Sequence, residues 1–331
     1  MSKVPILRPE STETSVIKVA GIQFAVPAII ATAGPRASHR FAEFFTANIR
    51  NKNTRLAYAR AVSAFFAWCD KHELAFDDIE SIGVSAYIEE RLQEGMAKPT
   101  VKQHLAAIRM MFDWMVTGGH LPYNPAAAVR GPRYVVKKGK TPVLTPEEAR
   151  LLLNSIDITE LSGLRDRALL GVMVFSFARV SAVVSMDVED YYQQGKRWWL
   201  RLHEKGGKHH EVPVHHLAEE YLDAYLGAVG KEAAKGTPLW RTMTKERTYS
   251  GDRLDRFKVY QMIKRRCRQA ELGAAANCHT FRATGITAYL LNGGTLEKAQ
   301  AIAAHESPRT TKLYDRTADE ITLDEIERIG I

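Results

Sequence analysis

The sequence predicts a mainly α-helical chain in two domains, with one small antiparallel β-sheet in the second. Three observations carry that expectation. From Ser38 to Gly119, apolar residues recur at helical spacing in four successive stretches. From Trp198 to Val214 the period drops to two, as it does in a pair of strands. Between these regions Arg130, Arg133, Lys137, Lys138 and Lys140 occur without an acid, bracketed by Pro132, Gly139 and Pro142, which is the composition of a linker. The expected organisation is a flexible N-terminal arm over residues 1–36, a helical domain over 37–130, a basic linker over 131–144 and a second domain over 145–331.

A chain of 331 residues can bury two cores of ordinary size. Its formal charge of +8 favours a polyanionic partner. Cys69, Cys267 and Cys278 have no ligand or disulfide spacing, which suits buried thiols in a reducing compartment. The apolar run from Val16 to Ala33 is broken by Lys18, Gln23 and Pro27 and reads as neither a membrane span nor a signal peptide. A cytoplasmic protein is expected, with no membrane partner.

Taken in order, the arm has a β-like stretch near Ile22 to Ile30. Ser38 is the expected cap of a helix carrying Phe41, Phe44, Phe45 and Ile49, and Asn53 the start of a longer one striped by Tyr58, Val62, Phe65, Phe66 and Cys69. A third helix is expected from Val84 to Gln93. A fourth begins at Pro99, carries Val101, Leu105, Ile108 and Phe112, and stops at Gly118-Gly119. Arg55, Arg60, Lys98, Lys102 and Arg109 fall away from the apolar stripes.

In the second half, Thr145-Pro-Glu-Glu148 is a capping box with proline at the first helical position. A helix from about Leu164 is expected to deliver Arg179 near its end. Strands follow around Trp198 to His203 and His210 to Val214, joined by Glu204-Lys-Gly-Gly-Lys208. Helices are then expected at Leu217 to Val229 and Leu254 to Leu272, the second basic through Lys264, Arg265, Arg266 and Arg268. The histidines from His203 to His216 lack a ligand pattern, so no metal and no cofactor is expected.

The chemistry concentrates between His279 and Arg316. His279 and Arg282 share a helix face at i, i+3, and an imidazole beside a guanidinium can clamp a phosphate oxyanion. Ser307-Pro308 is a helix start, and Tyr314 falls late in the short helix that follows, nine residues after His305. A tyrosine beside two histidines and an arginine can attack phosphorus. A phenol ordinarily titrates near about 10, so it needs a proton acceptor, for which His279 is placed.

His279-x-x-Arg282, Ala-His305-x-Ser and Tyr314 resemble the C-terminal signature of the tyrosine recombinases, the phage integrase family. Phe-Ala-Arg179-Val-Ser resembles the family's first arginine motif, and Lys205 in Lys-Gly-Gly-Lys resembles the lysine of its β-hairpin. Thr54-x-x-x-Tyr58 and Pro99-Thr-Val101 resemble its helical core-binding, SAM-like domain.

The resemblance implies an α+β catalytic domain in which Arg179 and Arg282 neutralise the transition-state phosphate, Lys205 protonates the leaving oxygen, and His305 holds the phosphate and orients Tyr314. It further implies a site-specific recombinase that works on double-stranded DNA as a homo-tetramer, through a 3′-phosphotyrosyl intermediate and a Holliday junction. Nothing in the sequence names an accessory DNA-bending protein. Arg55, Lys98, Lys102, Arg109, Arg133, Lys137, Lys138, Lys140, Lys264 and Arg265 are the candidate DNA contacts. Residues 321–331, opened by the Thr322-to-Glu325 capping box, are the candidate exchange helix that docks on a neighbouring protomer.

One position departs from the family pattern: the acid usual three residues after the first arginine is Ala182 here, with Asp187 and Glu189 as nearby stand-ins. The alternatives are a type IB topoisomerase-like enzyme, which needs no paired sites, and a catalytically silent DNA-binding regulator, which needs no Tyr314.

Overall fold

A computed structural model describes residues 14–19, 22–136, 139–204, 207, 209–230, 233–273, 276–315 and 326–327. The chain divides into two compact units, Met1–Val135 and Val136–Ile331.

The first unit opens with an antiparallel hairpin, β1 (Thr14–Val19) and β2 (Ile22–Pro27), in register from Thr14 opposite Pro27 to Val19 opposite Ile22. α1 (Ala28–Thr32) and α2 (Pro35–Glu43) follow. This departs from the expected loose arm. Val26, Ile29 and Ile30 are buried in the same core as Phe41, Phe66 and Met111, and removing these side chains from water ties the segment down.

Ser38 is not a cap. It lies inside α2 and its hydroxyl donates to the Gly34 carbonyl, while Gly34 itself sits at the N-cap with φ of 105°, a conformation only glycine adopts freely. A π-helical turn, Phe44–Asn48, carries the chain to α3 (Lys52–Lys71). The cap there is Asn51 rather than Asn53, because the Asn51 side chain accepts from the amides of Asn53 and Thr54. α4 (Ser81–Gln93) and α5 (Lys98–Thr117) complete the unit around edge-to-face contacts of Phe65, Phe66 and Phe112.

The second unit begins with α6 (Pro146–Asn154), whose Thr145 capping box forms in both directions. α7 (Leu161–Phe175) is apolar on most of its circumference and is the centre of the core, packed on α9 (His216–Val229) and α11 (Cys278–Leu291). It stops before Arg179, which instead occupies the N-cap position of the next short helix, α8 (Val180–Ser185).

β3 (Tyr191–Gln194), β4 (Arg197–His203) and β5 (His209–Pro213) form an antiparallel sheet in that order, burying Tyr191, Leu200 and Val212 on one face. A second ribbon pairs β6 (Arg241–Met243) with β7 (Tyr249–Arg253). β3 and β6, of four and three residues, are too short to display an alternation, and β7 (Tyr-Ser-Gly-Asp-Arg) lacks an apolar one, so all three escaped the sequence reading.

α10 (Arg256–Gln269), α12 (Leu296–Ile302) and α13 (Pro308–Lys312) complete the described elements. Asp166 of α7 is fully buried and carries the charge of Arg165, Arg265 and Arg266, so a single carboxylate pins the basic helix α10 to the core. Among the described residues no helix is long and apolar enough to cross a membrane.

The close approach of α11 to α7 depends on Gly285, where an added methyl would collide with the Val174 carbonyl and the Phe177 ring. Gly285→Ala should therefore cost about 1–3 kcal/mol by overpacking, measured as a lower urea midpoint with unchanged slope. An unchanged midpoint would show that α11 can move away freely.

Candidate active site

α11 sets the site. Asn277 caps it, accepting from the His279 amide at 2.8 Å and completing a box with Thr280. The positive end of the helix therefore faces the region where an anion would sit. His279 and Arg282 project from its first two turns, three residues apart on one face.

The Arg282 side chain is almost wholly buried, at 1% exposure. One guanidinium nitrogen donates to the Phe177 carbonyl and another to the Ala303 carbonyl at 2.6 Å. Burial pushes its pKa down to about 10, the Arg179 charge pushes the same way, and Glu204 opposes both. It remains a cation at neutral pH.

Each carbonyl it holds lies beside a left-handed residue: Phe177 has φ of 54°, and Ala304, next after Ala303, has φ of 47°. Such a conformation in a bulky residue costs on the order of 1–3 kcal/mol and persists only where its surroundings enforce it. The first kink leads to Arg179, the second to His305.

Arg179 donates from Nη1 to the Glu204 carboxylate at 2.5 Å. Glu204 follows the last residue of β4. Neither expected stand-in for the acid missing at Ala182 fills that place: Asp187 pairs with Arg253, and Glu189 is exposed. An acid in a turn that also holds two lysines and two glycines reads as solvated, which is why sequence reasoning passed over Glu204.

His305 is buried, its Nδ1 bonded to the Thr311 hydroxyl at 2.9 Å and its ring parallel to that of Tyr314, with centroids 5.8 Å apart. Burial, then the charges of Arg282 and Arg179, push its pKa down to about 3. Tyr314 lies in a turn two residues beyond α13 rather than within it. Its hydroxyl lies 2.9 Å from His279 Nε2, and its carbonyl accepts from the Thr287 hydroxyl at 3.0 Å. Although the residue as a whole is exposed, partial desolvation of its ring and then the charges of Arg282 and Arg179 hold His279 below the ordinary imidazole range, which favours the neutral ring at pH 7. In the tautomer that carries its ring proton on Nδ1, His279 Nε2 is the acceptor of the phenol hydrogen.

Five of the six predicted catalytic residues thus sit in one linked network. The sixth, Lys205, lies outside the described residues, as do Lys137, Lys138 and all of the expected exchange helix except Ile326 and Glu327.

Among the candidate DNA contacts, Lys98, Lys102, Arg133 and Lys140 are exposed. Arg55 and Arg109 are not presented as expected: Arg55 donates to the Ile49 carbonyl, and Arg109 to those of Ala126 and Val129. Arg265 is tied to Asp166, and the Lys264 ammonium lies 5.4 Å from the Tyr260 ring centroid. The strand histidines have structural partners: His203 meets Asp190, His210 donates to the Ile302 carbonyl, and His215 caps α9.

The depressed His305 pKa has a consequence for stability. Above about pH 6.5 the ring is neutral in both folded and unfolded chains; below it only the unfolded chain takes the proton. Stability intact at neutral pH is therefore lost as pH falls toward about 3. In DNA-free protein this term should remove on the order of 1 kcal/mol between pH 7 and about 5.5, and a His305→Asn variant should lack it. Parallel urea-stability curves for the two proteins would contradict the assignment.

Comparison with known proteins gives this geometry its setting. Residues 142–320 match the phage integrase family, and residues 40–119 match the phage integrase N-terminal SAM-like domain. The chain is 28% identical over 242 residues to the tyrosine recombinase XerC of Chlamydia caviae, covering 73% of this chain and 75% of that one. It is 25% identical over 265 residues to the tyrosine recombinase XerD of Staphylococcus epidermidis, covering 80% and 88%.

Its fold is similar to that of the XerH recombinase bound to its difH substrate before cleavage, with TM-score 0.65, 16% identity and coverage of 91% and 94%. It is also similar to a lambda integrase tetramer bound to a Holliday junction, with TM-score 0.62, 16% identity and coverage of 86% and 77%. The family matches span both units and include every residue of the network just described, and this chain belongs to the phage integrase family of tyrosine-type, site-specific DNA recombinases.

Proposed function

We propose that this recombinase cleaves duplex DNA by attack of the Tyr314 phenol on a phosphodiester held between Arg179 and Arg282. The observation that carries this reading is the 2.9 Å contact from the Tyr314 hydroxyl to a neutral His279, in the same network as both guanidiniums. His279 takes the phenol proton as the oxygen–phosphorus bond forms. The 5′-oxygen of the next nucleotide leaves, protonated by Lys205 in the role its motif implies, and a 3′-phosphotyrosyl bond remains.

The two guanidiniums meet the charge that grows on the non-bridging oxygens. Each such preorganised donor is worth about 3–4 kcal/mol of barrier. His305 holds the phosphate and stacks against the nucleophile. Because the phosphotyrosine bond conserves the energy of the phosphodiester, a 5′-hydroxyl from the same or a partner strand reseals the DNA with no energy-rich cofactor.

Strand transfer between two sites calls for paired duplexes, and the lambda integrase tetramer on a Holliday junction supports a homo-tetramer with the same intermediate here. The family match does not favour a topoisomerase-like or catalytically silent role.

Tyr314→Phe should bind a nicked suicide duplex within about threefold of the parent yet form no covalent adduct on a denaturing gel. A trapped complex in the Phe variant would remove Tyr314 from the role of nucleophile. Arg179→Ala should slow cleavage by about 10²–10³ at saturating protein while leaving affinity largely intact, because binding is spread over many phosphates. Arg282→Ala should show the same loss and also a lower melting temperature, since it strips the Phe177 and Ala303 carbonyls of their donor. Normal cleavage by either variant would place that arginine outside the reacting centre.

A further inference from the structure

We propose that Glu204 is a positioning residue of the cleavage site, holding Arg179 from the end of β4 in place of the acid that this chain lacks at Ala182. The inference rests on the role given to Arg179 above and adds to it a residue that none of the motifs contains.

The local geometry explains the exchange. Arg179 is the N-cap residue of α8, and Ala182 is the third residue of that helix, with its amide bonded to the Arg179 carbonyl at 2.9 Å. An acid at that third position reaches back toward the cap residue, as in a capping box. Here the position is a fully buried methyl, which accepts nothing. The carboxylate arrives instead from β4, which packs on α8, and meets Arg179 Nη1 at 2.5 Å.

Burial argues that this pair is not incidental. The Glu204 side chain is 5% exposed and that of Arg179 34%. An ionised carboxylate withdrawn that far from water is strongly unfavourable unless a cation answers it. Glu204 therefore cannot release Arg179 to solvent without leaving its own charge buried and unpaired. The guanidinium is held at one edge and keeps further N–H groups for an oxyanion.

Glu204 acts on the second arginine too, since its charge partly offsets the repulsion that Arg179 exerts on the buried Arg282. Two guanidiniums can then share one site before a phosphate arrives to neutralise them. Glu204 also directly precedes Lys205, the candidate general acid, in the chain.

The test uses the full-length protein and a nicked suicide duplex, with rates referred to folded protein counted by DNA-binding titration. Glu204→Gln keeps the shape and removes the charge. Cleavage at saturating protein should fall 10- to 100-fold, while the dissociation constant for DNA stays within threefold. Arg179→Ala/Glu204→Gln should be slower than Arg179→Ala alone by much less than the loss in Glu204→Gln, because Glu204 acts mainly through that arginine. Wild-type cleavage by Glu204→Gln overturns the proposal, and so does a double variant whose loss is the product of the two single losses. If Tyr314→Phe still traps DNA, the cleavage reading itself fails; if it does not and Glu204→Gln cleaves normally, only the Glu204 assignment fails.

Discussion

The catalytic unit is organised around one buried cation. Arg282 is 1% exposed, and its two terminal guanidinium nitrogens offset the cost of burial by donating to the carbonyls of Phe177 and Ala303, while its Nε finds no acceptor. Those carbonyls belong to the two breaks in the helical pattern that matter, between α7 and α8 and between α12 and α13. Both breaks contain a non-glycine residue in the left-handed region. The bonds to Arg282 offset that strain, and in return the breaks aim Arg179 and His305 toward the face of α11 that bears His279. Gly285 lets α11 sit close enough to α7 for the reach to succeed.

The electrostatics follow from the same crowding. Arg282 and His305 are buried while Arg179 and His279 lie at the edge of the same site, and loss of water together with the guanidinium charges lowers both imidazole pKa values, His305 to about 3 and His279 below its ordinary range. A neutral His279 can accept a proton, which an imidazolium could not. The acid that opposes this excess of positive charge is Glu204, and a scissile phosphate would complete the compensation. The free site is thus poised for an anion: donors are fixed in advance, and little reorganisation is left for the moment of reaction.

The helical domain and the signature carrying His279, Arg282, His305 and Tyr314 were legible because each rests on local spacing. Thr145 and Glu148 announce a helix start within four residues, and the structure forms that box as read. Other features depend on contacts distant in sequence. Nothing local distinguishes Asn51 from Asn53 as a cap; only the direction in which the chain enters α3 decides it. Of the hairpin from Thr14 to Pro27 only the second strand showed in the sequence, as a β-like stretch from Ile22, and burial of Val26, Ile29 and Ile30 under the helices holds the segment in place. Arg55 and Arg109 look like phosphate contacts on a helical wheel, yet nearby carbonyls capture both. Glu204 was hidden for the same reason: its partner lies 25 residues away on another element.

The identity of the protein atom that carries the DNA decides the mechanism. Wild-type protein can be trapped on a nicked duplex, the complex digested with nuclease and protease, and the nucleotide-bearing peptide sequenced by mass spectrometry. Attack by Tyr314 predicts a single adduct, a 3′-phosphate linked to the Tyr314 phenol oxygen. A nucleotide on any other side chain, such as the nearby Tyr289 that packs against Phe177, would contradict it.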